Sequence, residues 1–298
     1  METDTSWRRG RFDSADGSRQ ILFGRMYEDV EIERGAFPSG CRVFSIASAG
    51  CTAIRLSAEH EVSAVDINPV QLAYAQRRAA GAPMETGSAE RLMQMGRMAF
   101  PLLGWRRSVL AGFLELEDVG EQTLFWRRYL DTWRFRTAFD AAMSHAALRL
   151  TYAAGFLSGM PARIGPTLRA RMERCWAQHP NRSNPYASAL LLGDAWSEPS
   201  LDIQWASTIR FACADAASYL ESCAAGSFDA FTLSNILDGA TEKYRLRLFA
   251  AVKHAAAGGA IVVMRSFAEP ESKSPANFAV LDRAILWGVV EVVEADAL

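Results

Sequence analysis

A loop of small residues is the first feature of this sequence that could serve chemistry. Ser45-Ile46-Ala47-Ser48-Ala49-Gly50-Cys51 joins a short apolar run to a segment compatible with a helix. Small side chains let the backbone approach a ligand, and the first turn of a helix offers free N–H groups. Small residues also occur in ordinary strand–helix turns, so the loop alone is equally compatible with a plain connection.

Two acids end the next apolar runs. Asp66 follows Gly50 by 16 residues, near the spacing at which an acid of nucleotide-binding α/β folds accepts hydrogen bonds from ribose hydroxyls. Asp215, followed by Ala216, could accept a hydrogen bond from an adenine amino group. Both acids have an alternative as helix N-caps, with Asp66 or Asn68 preceding Pro69.

The three loops together predict a cofactor crevice, because ligands of such sheets bind at the carboxyl ends of adjacent strands. The pattern G-x-G-x-x-G is absent, which favours S-adenosylmethionine over NAD as the cofactor. Ordinary methyltransferases of this fold usually have an acid where Ser45 stands and glycines where Ala47 and Ala49 stand. We therefore expect a different loop around the methionine end of the cofactor.

The elements that must position these residues alternate between strands and helices. Apolar runs at 42–47, 61–65, 209–214, 228–233, 260–265 and 287–293 predict strands, and segments at 51–59, 69–80, 216–223 and 241–257 predict helices, the last stopped by Gly258-Gly259. The pattern predicts an α/β, Rossmann-like class I S-adenosylmethionine-binding fold with a long helical insertion. We expect a flexible N-terminus at 1–20, an α/β domain at 21–87 and 201–298, and an acceptor-binding helical insertion at 88–200.

Composition narrows the function classes. The chain has 298 residues and a net charge of −2, which gives no overall sign of nucleic-acid binding. Five widely spaced cysteines without a C-x-x-C pair favour a reducing compartment over a disulfide framework or zinc site. The polar first residues do not read as a secretory signal, and no apolar run reaches the ~20 residues of a membrane span. We expect a cytoplasmic protein without a metal.

Four segments carry a resemblance to a known family. They are Met26-Tyr27-Glu28-Asp29; the small-residue loop with Asp66-Ile67-Asn68-Pro69 and Gln71; Asn184-Pro185-Tyr186 with Leu192-Gly193; and Phe228–Leu233 followed by Ser234-Asn235-Ile236-Leu237-Asp238. In these segments, spread over about residues 21–270, the chain resembles the 3-amino-3-carboxypropyltransferases of betaine-lipid synthesis. Ala49 and Thr52 depart from the family's loop, and the insertion is shorter.

The resemblance implies a reaction at a different carbon on the sulfur from the one that reacts in methyl transfer. The methionine Cγ meets the acceptor, methylthioadenosine leaves, and in the family the acceptor is the hydroxyl of diacylglycerol. The cofactor would be held by Ser45, Ala47, Ser48, Ala49, Gly50, Asp66, Asn68, Gln71, Asp215, Ala216, Ser234 and Asn235. The shorter insertion affects the expected identity of the acceptor more than that of the cofactor. We expect the acceptor to be a small molecule or lipid with a hydroxyl or amine.

An alcohol nucleophile needs a base within hydrogen-bond reach. Glu28, Asp29 and Asp238 are the candidates, and Tyr27 or Tyr186 could orient the acceptor or the cofactor carboxylate. The alternatives are a solvated helix face for Glu28 and Asp29 and turn or N-cap chemistry for Asn235 and Asp238. Two other functions stay open: a small-molecule methyltransferase, and a non-catalytic module that binds a lipid or partner.

The predicted insertion is rich in Trp and Arg. Between Arg91 and Arg182 it has 14 Arg, no Lys and 7 acids. Trp–Arg clusters at 105–107, 126–128 and 133–136 are typical of interfacial helices, which suits peripheral contact with an anionic membrane surface. Tryptophan at helical spacing also builds ordinary cores, and Arg pairs with acids. Both interpretations remain open from sequence.

Overall fold

The computed structural model describes residues 5–15, 17–193, 208–270 and 277–298. Its strands are β1 (Arg42–Ile46), β2 (Glu61–Asp66), β3 (Arg210–Cys213), β4 (Phe228–Thr232), β5 (Ala256–Ser266) and β6 (Val289–Glu294). The helices are α1 (Ser6–Arg9), α2 (Glu31–Ala36), α3 (Cys51–Leu56), α4 (Pro69–Ala79), α5 (Ser88–Arg97), α6 (Arg107–Leu114), α7 (Val119–Phe125), α8 (Trp133–Ala142), α9 (His145–Leu148), α10 (Ala154–Leu157), α11 (Ile164–Gln178), α12 (Pro185–Leu191), α13 (Ala216–Ser222) and α14 (Glu242–Ala255).

The six strands form one sheet in the order β3-β2-β1-β4-β5-β6. All neighbouring pairs are parallel except β5 and β6, which are antiparallel. The chain starts at the centre with β1, winds outward to β3, and crosses back to β4, which leaves a switch point between β1 and β4. This is a Rossmann-like α/β fold, and the prediction of its class is confirmed.

Apolar side chains cover both faces of the sheet. Val43, Val62 and Val263 belong to a buried cluster on one face, while Phe44, Val65 and Phe231 belong to a cluster on the other. Consecutive residues such as Val43 and Phe44 point to opposite faces because side chains alternate along a strand. Burial on both faces accounts for the continuous apolar runs that reveal these strands in the sequence.

The sequence predicts that Gly258-Gly259 ends a helix, but in the structure the pair does not do so. Helix α14 ends at Ala255 and β5 begins at Ala256, so both glycines lie within the strand. The pairing of β4 with β5 shifts between Phe228 and Ala230, and Gly259 has a left-handed φ of 75°. The glycines therefore serve an irregularity of the sheet, where a positive φ suits glycine.

Helices α5–α12 lie between β2 and β3 in the chain, and α6, α7, α8, α11 and α12 share a core of their own. Trp105, Trp126, Phe135 and Trp176 are fully or almost fully buried in it. Ile285 of the C-terminal segment joins the same core, so this helical layer packs against the α/β part. The predicted boundary of the insertion at residue 200 lies outside the described residues.

The N-terminal segment differs from the flexible stretch that the sequence suggested. Thr5 caps α1, and Phe12 is buried beside Leu22 and Ala89. Trp7 packs on the same cluster, with its ring centre 6.0 Å from that of Phe23. Polar and charged residues dominate this stretch and obscure its aromatic anchors. In the parts of the chain that the structure covers, every helix is too short or too polar to cross a membrane.

Candidate functional site

A cavity of about 640 Å³ opens at the carboxyl ends of the parallel strands. Ser48 after β1, Asp66 at the end of β2, Asp215 after β3 and Ser234 after β4 all line it. Its volume lies within the range of pockets that hold drug-sized ligands. The structure therefore brings together, in one crevice, residues that follow four different strands.

Asp66 lies on the wall of this crevice with both carboxylate oxygens engaged by the backbone. Oδ2 accepts a hydrogen bond from the Ser48 N–H at 3.0 Å, and Oδ1 accepts one from the Asn68 N–H at 2.8 Å. Burial raises the pKa of Asp66 to about 7, against the two hydrogen bonds that lower it. Each oxygen keeps a lone pair, so the carboxylate can still accept hydrogen bonds from ligand hydroxyls.

Asn68, rather than Asp66, is the N-cap of α4. Its side-chain oxygen accepts from the Val70 N–H at 3.1 Å, and its amide donates to the Gln20 carbonyl at 2.8 Å. Gln71 accepts from the backbone N–H groups of Leu22 and Phe23. Both side chains line the crevice, and both also tie the N-terminal segment to its rim.

Asp215 has the capping role that the sequence left open. Its Oδ1 accepts from the Ser218 N–H at 3.0 Å at the start of α13, and its Oδ2 accepts from the Tyr244 hydroxyl at 2.6 Å. Arg247 lies 3.6 Å from the same carboxylate. Asp215 and Ala216 both line the crevice, so capping and ligand contact are compatible here.

The small-residue loop contributes Ile46 and Ser48 to the lining of the crevice. Ser48 lines it with a left-handed φ of 42°, a conformation that non-glycine residues rarely adopt. Ser45, Ala47 and Ala49 are fully buried behind the loop and do not line the cavity. Gly50 has a φ of 84°, and a Cβ there would lie 3.3 Å from the Ala75 side chain, so it allows close packing of α3 on α4.

A second, smaller cavity of about 190 Å³ adjoins the crevice. Ser48, Ser234 and Asn235 line both cavities, as do Trp7 and Phe23. Ser234 shares with Ser48 a left-handed backbone, with φ 53°. Strained residues of this kind are concentrated at ligand sites. The rest of its wall is mostly apolar and includes Met26, Met143, Leu148, Tyr152, Phe156, Met160 and Leu168.

Glu28 is the carboxyl group of the smaller cavity. Its Oε1 accepts a hydrogen bond from the Ser234 hydroxyl, while its Oε2 is buried without a hydrogen-bond partner among the described residues. Burial raises the pKa of Glu28 to about 7, although Arg265 and Ser234 act to lower it. A buried carboxyl with a free oxygen and a pKa near neutrality has the properties of a general base.

The other predicted acids have full sets of partners. Asp29 forms an ion pair with Arg283, whose Nε and Nη2 lie 2.5 and 2.6 Å from its carboxylate oxygens. Asp238 accepts from the Ser266 hydroxyl at 2.6 Å, the Asn235 amide at 3.0 Å and the Phe267 N–H at 3.1 Å. Neither acid lines either cavity. The geometry thus separates Glu28 from both.

Of the two candidate tyrosines, one lines the smaller cavity and the other does not. Tyr27 lines the smaller cavity, and its backbone carbonyl accepts from the Trp287 indole at 2.8 Å. Tyr186 is buried outside the cavities, and its hydroxyl donates to the Glu28 carbonyl at 2.5 Å. Asn184 caps the helix that carries Tyr186. Tyr186 therefore holds the backbone of Glu28 in place and does not face a ligand.

Four residues that the sequence analysis missed form charged contacts near Glu28 and Asp29. Arg265, on β5, donates to both carboxylate oxygens of Glu33 at 2.5 and 3.0 Å and to Asp282 at 3.0 Å. Its Nη1 lies 3.9 Å from Glu28 Oε2. Arg283 adds the pair with Asp29. The partners are more than 200 residues apart in the chain, except for Arg265 with Asp282, so no local motif could indicate this network.

In the ranges with described coordinates, no group of three or more His, Cys, Asp or Glu side chains is placed to hold a metal ion. Glu28, Glu33 and Asp282 all surround the Arg265 guanidinium instead.

Comparison with known proteins gives little beyond the fold. No family model matches this chain, and no curated protein matches it. Among solved structures, the chain is similar to the [4+2]-cyclase SpnF, with a TM-score of 0.35 and 11% sequence identity. The match covers 89% of this chain and 53% of the other, so the chain spans about half the length of SpnF. A likeness this weak carries no argument about activity, and the fold assignment here rests on strand order and direction.

Proposed function

We propose that this protein is an S-adenosylmethionine-dependent transferase that moves the 3-amino-3-carboxypropyl group to a hydroxyl or amine acceptor and releases methylthioadenosine. The observation that carries the proposal is the position of Glu28. A buried carboxyl with a free oxygen lines an apolar cavity, and that cavity meets the larger crevice at Ser48, Ser234 and Asn235.

The residues of the larger crevice suit S-adenosylmethionine as the donor substrate. Asp66 offers a carboxylate for ribose hydroxyls, and Asp215 offers one for an adenine amino group. The lining also includes Arg8 and Arg19, which supply positive charge for the carboxylate of the methionine arm. Ser48 and Ser234, which line both cavities, would lie beside the reacting end of the donor.

Glu28 would act as the base for the acceptor. The acceptor oxygen or nitrogen forms a bond to Cγ of the donor, the bond between Cγ and sulfur breaks, and sulfur keeps the electron pair as the sulfonium becomes a neutral thioether. The proton of the acceptor passes to Glu28 Oε2. The sulfonium activates all three attached carbons, so the position of the acceptor selects the carbon that reacts.

The smaller cavity indicates an acceptor with an apolar part. Its walls are mostly aromatic and thioether or aliphatic side chains, with Glu28 the carboxyl among them. At about 190 Å³, it falls below the range of about 300–1,000 Å³ typical of sites that enclose a drug-sized ligand. A large acceptor would place only its reactive end there. Diacylglycerol is the first acceptor to test.

Product analysis tests this proposal. Purified protein is incubated with S-adenosylmethionine and a lipid extract, and the adenosyl products are separated by chromatography. We expect methylthioadenosine in the wild type and its loss in Glu28→Gln, which keeps the size of the side chain. S-adenosylhomocysteine as the only product would replace this proposal with methyl transfer. Donor binding without either product, across hydroxyl and amine acceptors, would favour a non-catalytic binding module.

A further inference from the structure

The helical layer carries the most exposed apolar side chains of the described residues. Six large apolar side chains there are at least 67% exposed, whereas the largest value in residues 208–270 and 277–298 is 56%, at Leu246. The six are Met95, Met98, Leu102, Leu124, Trp133 and Leu150. Single exposed apolar residues need no explanation, but a concentration in one layer marks a contact surface.

One part of this layer combines exposed apolar side chains with unpaired cations. Arg128 lies 5.4 Å from the centre of the Tyr129 ring, and Arg134 lies 5.6 Å from that of Trp133. No described carboxylate forms an ion pair with Arg128 or Arg134, whereas Arg127 pairs with Glu173 and Arg136 pairs with Asp131. We define the anchor surface as Leu124, Arg128, Tyr129, Trp133 and Arg134.

Buried side chains next to the anchor surface in the sequence fix its residues to the helical core. Trp126, Leu130 and Phe135 alternate with its residues along the chain and are at most 1% exposed in the helical core. Thr132 caps α8 by accepting from the Phe135 N–H at 3.3 Å. Tyr129 and Trp133 are four residues apart, so they lie within about 14 Å of each other. The surface is therefore presented by elements that are packed into the helical core.

The same elements connect the anchor surface to the apolar cavity. Helix α8 begins at Trp133 and ends at Ala142, and the next residue, Met143, lines the smaller cavity. Ten helical residues span about 15 Å. Leu150, 89% exposed, lies between Leu148 and Tyr152, which also line that cavity. Exposed apolar groups thus adjoin the wall of the site.

We propose that the anchor surface docks on an anionic lipid bilayer. Trp133 and Tyr129 have the amphipathic rings that settle at the level of lipid headgroups, and Leu124 adds apolar contact. Arg128 and Arg134, whose guanidinium groups lie over these rings, meet anionic headgroups. Charge complementarity selects this partner, because no carboxylate in the described ranges pairs with either cation. The proposal does not depend on the transferase activity.

Vesicle sedimentation tests it with the full chain. Vesicles of phosphatidylcholine alone are compared with equal parts phosphatidylcholine and phosphatidylglycerol, at about 0.1 M and about 1 M salt. We expect binding to the anionic vesicles that falls at high salt. Arg128→Gln with Arg134→Gln should weaken binding about 30-fold, about fivefold for each cation near the surface. Trp133→Ala should weaken it as well.

Matched controls separate this site from net charge and from misfolding. Arg210→Gln with Arg245→Gln removes the same charge from one exposed and one half-buried position in the α/β part, and should leave binding within twofold of the wild type. Leu246→Ala is the control for Trp133→Ala. Thermal unfolding of each variant checks that it is folded. Binding that ignores lipid charge and salt, or that falls equally in the controls, would overturn the proposal. So would a Trp133→Ala variant that changes the oligomeric state without vesicles.

Discussion

Replacement of Glu28 by glutamine should stabilise the fold and abolish turnover. Burial raises the pKa of Glu28 to about 7, from its ordinary value of 4.5. Above pH 7 the carboxyl is ionised in both the folded and the unfolded chain, and the folded state then loses about 3 kcal/mol relative to a chain without this group. With about 0.6 kcal/mol per degree of unfolding entropy for a chain of this size, that is a rise in Tm of about 5 °C for Glu28→Gln.

The sign of the pH dependence follows from the raised pKa. Below pH 4.5 the carboxyl is protonated in both states, so the wild type and Glu28→Gln should differ little. Between pH 4.5 and 7 the unfolded chain releases its proton first, which lowers the stability of the wild type alone. The difference in Tm should therefore grow across this window and stay constant above it.

Differential scanning calorimetry from pH 4 to 9 measures this difference directly. Glu31→Gln is the matched control: the same substitution, three residues along the chain, at an exposed carboxyl, should change the free energy of unfolding by less than about 0.5 kcal/mol at every pH. In turnover assays, loss of a general base lowers kcat by about 10²- to 10⁴-fold. The wild-type kcat/KM should rise with pH until about 7. A Glu28→Gln variant that is less stable at all pH values, or that keeps full kcat, would refute the reasoning.

Three further substitutions probe the surrounding residues. Asp66→Ala should weaken S-adenosylmethionine binding by about 1–3 kcal/mol in calorimetric titration, because ribose hydroxyls lose a charged acceptor; unchanged affinity would remove Asp66 from the site. Asp29→Asn should lower the free energy of unfolding by about 3 kcal/mol in chemical denaturation, since it leaves Arg283 without its partner, while kcat per folded molecule is kept; a lost kcat would restore Asp29 as a base. Tyr186→Phe should lower the free energy of unfolding by about 1–3 kcal/mol, because the buried Glu28 carbonyl loses its donor, and a neutral effect in the same denaturation assay would contradict that contact.

Five of the six strands could be predicted from the sequence to within two residues, whereas β5 begins at Ala256, four residues before its predicted start. The predicted second strand and the helix after it match β2 and α4 within one residue. Strands buried on both faces appear as continuous apolar runs, and Asn68-Pro69 supplies both a cap and a first helical residue. Because these signals lie in the local sequence, they are sufficient to predict this strand and this helix.

The sequence could not predict which of the candidate acids faces a cavity. Glu28 and Asp29 are neighbours of the same type, and a pattern of spacing cannot tell which one faces a cavity. The difference arises from Arg283, which is 254 residues from Asp29 in the chain and neutralises it. Trp126 and Trp133 show the same limit in the helical layer, since one is fully buried and the other is 72% exposed. Only tertiary packing decides these outcomes.

The charge balance around Arg265 explains why Glu28, among the buried acids, keeps a free oxygen. One guanidinium faces three carboxyl groups, those of Glu33, Asp282 and Glu28. Glu33 has two hydrogen bonds from Arg265 and a third from Thr232 at 2.8 Å, and Asp282 has one from Arg265 at 3.0 Å. Glu28 is 3.9 Å away and has none from that cation.

Burial raises the pKa of Glu28, and the Arg265 guanidinium, which lies 3.9 Å away and is shared with two other carboxyl groups, offsets this only in part. Burial also raises the pKa of Asp282, to about 6, but Asp282 lines neither cavity. Glu28 alone among the three combines a raised pKa with access to the apolar cavity. Burial without full compensation makes the Glu28 carboxylate unfavourable for stability. The same burial lets Glu28 accept a proton near pH 7, and the proposed reaction requires a base with this property.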